Sequence, residues 1–252
     1  MNEAILYQFA LCPFCSKVRA GLELKGIPYR IVEVNPRTKA ELPPLPEGTP
    51  RKVPVLDVGG NVVHDSTEIL RFLDAAYLET VRFRPEEPAL RERADEIEEW
   101  VDAELIRALP TVLYGTWREA GRAAAVVARS SNLGATQGLG VKLGGPLIMY
   151  MVAKRILKKS GRSDGHAWVN ECLDQVEGWL GEAPFVCGPR MTIADVAIHG
   201  ALACVEEFPV YKSVEARPRL RDWLSRMAAQ KQASREQAAH ASGRQTPDAR
   251  SD

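Results

Sequence analysis

The sequence has no excess of charge of either sign: 33 Lys and Arg stand against 33 Asp and Glu. A chain that neutralises a phosphate backbone carries a basic balance, so no nucleic-acid partner is expected. Long hydrophobic runs are missing too. The longest clearly apolar segment, Leu143 to Ala153, is closed by Lys142 and Lys154. A bilayer span takes about 20 residues, so no transmembrane segment is expected. The start lacks the basic n-region of a signal peptide. Cysteine is scarce and odd in number, five in all. That argues against a disulfide scaffold and for a reducing, cytoplasmic setting. What remains is an ordinary apolar share, 45% of 252 residues, enough for one or two domains with a sizeable core.

The first 82 residues alternate strand and helix signals. Ala4 to Ala10 reads as a buried strand, Pro13 to Gly26 as a helix, and Tyr29 to Val34 as a second strand. That βαβ unit makes the two strands parallel. A proline-rich connection over 36–50 follows, with a short helix expected around Thr38 to Leu42. Val53 to Val58 and Asn61 to Val63 read as strands joined at Gly59-Gly60. A helix begins after Asp65-Ser66. The order is that of an α/β thioredoxin-like domain. Residues 82–88 read as a linker. Beyond it lies an all-α domain over 88–232, with helices around Ile97 to Leu105, Val112 to Val127, 142–159, Trp168 to Leu180, 192–206 and 218–230. From Ala233 to the end, large apolar groups are lacking and a disordered tail is expected.

Three motifs carry chemistry. Cys12-Pro13-Phe14-Cys15 follows a strand and opens a helix. Unpaired N–H groups and the positive dipole end there favour thiolate at Cys12, with Cys15 one turn on as resolving thiol. A zinc site would need a second ligand pair, and the other cysteines and histidines are scattered, so no metal is expected. Val53-Pro54 is either an edge-strand proline or a cis turn that aims the Val53 backbone at a bound peptide. Asp65-Ser66 is either a plain N-cap or a cap that also holds the γ-glutamyl end of glutathione.

With these motifs in view, Tyr7 to Pro28 resembles glutaredoxins, and the helical remainder makes the chain resemble a glutathione transferase. Within that superfamily it is similar to the membrane-associated prostaglandin E synthase type 2 family. The likeness rests on LYQFALCPFCSKVRAGLELKGIPYRIVEVNP, RKVPVL, HDST and GATQGLGVKLGGPLIMYMVAKRILKK, and the Gly-rich run at 134–159 is its most particular part. The resemblance implies a glutathione-dependent enzyme, a homodimer, and haem as a further ligand beside glutathione. It implies Cys12 as the catalytic thiol, Phe14 and Cys15 completing the motif, Val53 next to Pro54 pairing with the glutathione backbone, and Asp65 and Ser66 holding its γ-glutamyl group. Two departures stand out. The family's animal members carry an N-terminal anchor, whereas this sequence begins at the α/β domain. They also have a tyrosine three residues before the catalytic cysteine, where Phe9 stands here.

Cys12 is therefore expected to attack a glutathione mixed disulfide, or to act with glutathione on an apolar electrophile or peroxide, with Cys15 resolving the intermediate or tuning the Cys12 pKa. The rival readings are a scaffold that holds glutathione, haem or a protein without catalysis, and a thioredoxin acting directly on protein disulfides. Thr192 to Asp195 reads as a capping box with a folding role. Gly134, Gly138, Gly140 and Gly144 read as close-packing positions, or as the floor of a second-substrate pocket with Leu147, Met149 and Tyr150. Lys154, Arg155, Lys158, Lys159 and Arg162 read as a solvated basic helix end, with a membrane-surface contact as the alternative. Cys172, Cys187 and Cys204 read as small core or near-surface residues.

Overall fold

Alternating burial along the first strand places Ala4, Leu6 and Gln8 inward, which makes it the centre of a sheet. A computed structural model describes residues 3–130, 133 and 135–243. Strand β1 (Ala4–Gln8) lies between β2 (Tyr29–Glu33) and β3 (Val55–Val58), and β4 (Asn61–His64) closes the order β2-β1-β3-β4. The β1–β2 pair is parallel and the other two are antiparallel. Helices α1 (Pro13–Leu24) and α2 (Ser66–Ala76) join one face, where Leu6, Val18, Leu22, Leu56, Ile69 and Leu70 share a buried cluster. The other face holds a smaller cluster of Val34, Leu42 and Val55, packed by Tyr7, Phe9 and Val53. This is the thioredoxin-like arrangement that the order of elements predicts.

Helix α1 stops where Gly26 takes φ +66°, a conformation that costs glycine little. The Ile27 N–H then bonds the Leu22 carbonyl at 2.9 Å and the Gly26 N–H bonds the Glu23 carbonyl at 3.1 Å, the paired bonds of a Schellman end. Just before it, Lys25 is buried with its ammonium 2.9 Å from Asp74 and 2.7 Å from the Val81 carbonyl, over the Phe83 ring. Burial lowers the Lys25 pKa and Asp74 opposes the shift. Asp74 also accepts the N–H groups of Phe83 and Arg84. The connecting segment is thus strapped to the α/β domain.

The helical part comprises α3 (Pro88–Trp100), a π turn (Val101–Leu105), α4 (Ile106–Leu113), α5 (Trp117–Ser130), α6 (Ala135–Lys159), α7 (Gly165–Leu180), α8 (Ile193–Ala203), α9 (Tyr211–Glu215) and α10 (Pro218–Gly243). Helix α8 opens with the expected capping box, in which Asp195 accepts the Thr192 N–H at 2.9 Å. Asp195 also accepts the indole N–H of Trp223 and the Val186 N–H. Burial raises its pKa against these bonds.

Several local expectations are corrected. β1 ends at Gln8, because the chain turns there with the Cys12 N–H on the Phe9 carbonyl. β3 starts only at Val55, after Pro54, which has no N–H to offer. The segment Thr38 to Leu42 is not helical: the Asn35 side chain accepts the N–H groups of Arg37 and Thr38 and holds a turn. The helix expected over Val112 to Val127 is two helices. Thr116 and Glu119 exchange backbone and side-chain bonds that start α5 afresh. The region from Ala233 is not a disordered tail as far as Gly243. Helix α10 continues there, and Ser234 is buried with its hydroxyl 2.6 Å from the Leu24 carbonyl. The glycines of α6 are not close-packed either. A Cβ at Gly138, Gly140 or Gly144 meets nothing within 4 Å, whereas Gly145 sits against Ala124 of α5. Gly134 lies outside the described residues.

The two parts meet where α8 crosses α1. A Cβ at Gly200 would fall 2.3 Å from the Lys17 Cα and 2.7 Å from its nitrogen. Backbone cannot yield as a side-chain tip can. Gly200→Ala is therefore expected to cost about 1–3 kcal/mol by overpacking. A lower urea midpoint with an unchanged m value would show it, and wild-type stability would refute the close contact.

Candidate active site

The register of the sheet brings the three sequence motifs to one end. Tyr7 pairs with Val55, and Val55 pairs with His64. Residues just beyond these positions therefore converge: Phe9 to Cys12 after β1, Val53-Pro54 before β3, and Asp65-Ser66 after β4. Residues far apart in sequence become neighbours because one strand register aligns them.

Cys12 is the N-cap of α1, in extended backbone, with Pro13 at the first helical position. It is partly exposed, while Cys15 is fully buried. All five cysteines are free. The Cys15 thiol holds the Cys12 pKa below its ordinary value. The N–H groups of Cys15 and Phe14 and the Arg19 guanidinium add to this, and together they outweigh burial. Cys15 is driven the other way, well above the usual thiol range, by its own burial and by the neighbouring Cys12. The two thiols of one helix N-terminus are thus shifted in opposite directions, Cys12 down and Cys15 up. Arg19 is held in place by Gln8, which in turn donates to Glu33 at 2.6 Å.

The Val53–Pro54 peptide bond is cis, the second of the two readings left open for this motif. Pro54 is buried and Val53 half-buried. At the third motif, Asp65 has φ +71°, a left-handed conformation that L-residues rarely adopt. Strain of this kind persists where the surroundings over-determine it, and it clusters at functional sites. The Asp65 carboxylate accepts the N–H groups of Thr67 and Glu68 at 3.0 and 3.4 Å, and it is exposed. Ser66, the first residue of α2, is buried.

Sequence reasoning misses the buried residues that lie behind these motifs. Lys17 of α1 is fully buried, with its ammonium on Glu98 of α3 and 2.9 Å from Asp102 in the π turn. Glu98 also accepts the Thr67 hydroxyl at 2.6 Å, next to Ser66. The cluster therefore ties both site helices, α1 and α2, to the helical part. Burial pushes the Asp102 pKa up to about 6, with Glu98 and Asp65 adding to the rise and Lys17 opposing it. Two further groups face Cys12 electrostatically: Tyr114 at the end of α4 and Cys204 at the end of α8. Burial keeps both neutral, raising the Tyr114 phenol and pushing Cys204 to about 12. No local pattern flags these residues, because each looks like a solvated or core position on its own helix.

The remaining expectations are placed as follows. Among the described residues no cluster of His, Cys, Asp or Glu is arranged to hold a metal. Haem does not fit. The side chains that act on Cys12 are Cys15, Arg19, Tyr114 and Cys204, with no histidine among them, and His199 is half-buried, edge-on to Trp223. Leu147 does not floor a pocket: it is half exposed on the outer side of α6. Among the described residues no helix is long and apolar enough to cross a membrane.

This fold is that of the glutathione transferases. The family model of the glutathione S-transferase N-terminal domain matches residues 11–76, and that of the C-terminal domain matches residues 158–231. The chain belongs to the glutathione transferase superfamily. Within it, the chain is similar to prostaglandin E synthase 2 of Danio rerio, at 28% identity over 88% of this chain and 69% of that protein. The Mus musculus prostaglandin E synthase 2 is 26% identical over 89% of this chain and 69% of its own length. Among solved structures the fold is shared with the beta-etherase LigF from Sphingobium sp. strain SYK-6, with TM-score 0.65, 19% identity, and 94% and 99% of the two chains covered.

The thiol asymmetry has a direct readout. Alkylation of Cys12 by iodoacetamide should fall as pH drops through its pKa, with a midpoint below the free-cysteine value of about 8.5. Cys15→Ala removes the largest stabilising partner and should move that midpoint upward. A wild-type midpoint at or above the free value would contradict the assignment.

Proposed function

We propose that the chain is a glutathione-dependent thiol enzyme in which Cys12 carries the chemistry. The observation that carries this reading is the opposite shift of the two thiols at one helix N-terminus. In this reading the Cys12 thiolate attacks the glutathione sulfur of a mixed disulfide. An S–S bond forms between Cys12 and glutathione, the substrate leaves as a thiolate and takes a proton, and a second glutathione thiolate releases oxidised glutathione. Cys15 is a poor attacking group, since its thiol is buried and held protonated. Its role is to donate to Cys12, which favours the route through external glutathione.

Glutathione fits the convergent end of the sheet by chemistry. Its γ-glutamyl carboxylate suits the start of α2 at Ser66, and its ammonium suits the exposed Asp65 carboxylate. Val53, beside the cis Pro54, offers its backbone to the cysteinyl amide, and Phe14 lies next to the thiol. A second reading has one specific observation in its favour. Tyr114 brings a neutral phenol towards Cys12 from the helical side, where Phe9 brings none. That suits isomerisation or reduction of an apolar electrophile or peroxide in the cleft. The homodimer implied by the resemblance belongs to the same proposal.

The test is turnover of a glutathione mixed disulfide. Cys12→Ser should lose it by at least about a hundredfold, while Cys15→Ser should keep a substantial part. Unchanged turnover in Cys12→Ser would remove the mechanism. Tyr114→Phe should leave this reaction intact and slow only an oxygen-rich apolar substrate.

A further inference from the structure

Helix α6 turns the wrong side outward for a helix of a water-soluble protein. Its inner side is accounted for: Gly145 meets Ala124 of α5, and Ala153 and Leu157 are buried. On its outer side Leu143 is 76% exposed, Ile148 64% and Met151 62%, with Leu147 beside them. These positions fall within about half of the helix circumference at 100° per residue. Gly140 and Gly144 lie among them and face open space. Continuing along the helix, Lys154, Arg155, Lys158 and Lys159 are all exposed on the same side. An exposed apolar patch of this extent on a soluble chain marks an interaction site.

Charge decides what covers it. Helices α5 and α6 together carry eight Lys and Arg and one acid, Glu119, although the whole chain is neutral. Helix α6 has no Asp or Glu at all. A second copy of this face would offer no acid to the cationic end in either orientation. An apolar face that runs into a dense cationic end, with no acid on the helix, instead complements an apolar layer edged by anions. Trp117 stacks on Tyr150 at 5.1 Å, and Lys154 lies 5.2 Å over that ring, so amphipathic side chains sit where apolar and charged zones meet. No helix among the described residues is apolar enough to cross a bilayer, so the contact is with its surface.

We infer that the outer face of α6 docks on an anionic lipid surface, with Leu143, Leu147, Ile148 and Met151 entering the headgroup boundary and the cationic end neutralising headgroups. The assignment is independent of the chemistry at Cys12.

Co-sedimentation of the full chain with phosphatidylcholine vesicles, with and without phosphatidylglycerol, tests it. Binding should require the anionic lipid, and should weaken at least about tenfold when salt is raised to about 1 M, where the screening length is about 3 Å. Lys154→Glu/Arg155→Glu/Lys158→Glu and Leu143→Asp/Met151→Asp should each weaken it at least about tenfold. Should the second variant misfold, the charge-reversal variant, altered only at exposed positions, decides alone. Failure to bind, equal binding to neutral vesicles, or indifference to charge reversal overturns the inference. So does size exclusion without lipid, if Leu143→Asp/Met151→Asp breaks a dimer that the wild type forms, for the face would then join two copies. Mixed-disulfide turnover at the wild-type rate in both variants would confirm that the site is intact.

Discussion

Helix α1 is held at a distance that only a missing side chain permits. Gly200 of α8 lets the backbone of Ser16 and Lys17 come within contact of another helix. That approach buries Lys17, which must then find its charge partners on the far side of the interface. Glu98 and Asp102 supply them from α3 and the π turn. A buried cation with one partner removed typically costs about 3–5 kcal/mol, so the pairing fixes which face of α1 meets the helical part. The N-terminus of α1 is where Cys12 sits. The position of Cys12 is thus an outcome of the interface, and Tyr114 at the end of α4 and Cys204 at the end of α8 act on it from the helical side.

The π turn has a part in this. Between α3 and α4 the Ile106 N–H bonds the Val101 carbonyl, a five-residue step. Such a step rotates the following residues relative to the preceding ones, and π turns recur at functional sites. Here it places Asp102 on Lys17 while Glu104 reaches the indole of Trp168 at 3.0 Å. Carboxylates two residues apart thus serve two different neighbours. The same cluster reaches α2 through Thr67, so the starts of α1 and α2 are tied to one buried network.

Much of the site was legible in the sequence because its parts are local. A Cys-x-x-Cys with Pro13 after a strand, a Val-Pro before a strand, and an Asp-Ser opening a helix each announce their own backbone. The sheet register then aligns them without further information. What stayed hidden is long-range. Lys17 and Glu98 are 81 residues apart, and each reads as a solvated charge on an amphipathic helix. Ser234 and Leu24 are joined across 210 residues, which turns an apparently featureless tail into the end of α10. The split between α4 and α5 was written in Thr116-x-x-Glu119, a capping box obscured by the apolar run around it. The apolar outer face of α6 has helical periodicity, and periodicity alone does not say which side faces water.

In the proposed chemistry Cys12 is the thiol that exchanges with glutathione and Cys15 is its buried donor. Intact-mass and peptide mass spectrometry of the Cys15→Ser variant after exposure to oxidised glutathione tests this most directly. A single glutathione adduct, mapped to Cys12, is expected. An unmodified chain, or an adduct carried first by half-buried Cys187, would contradict it.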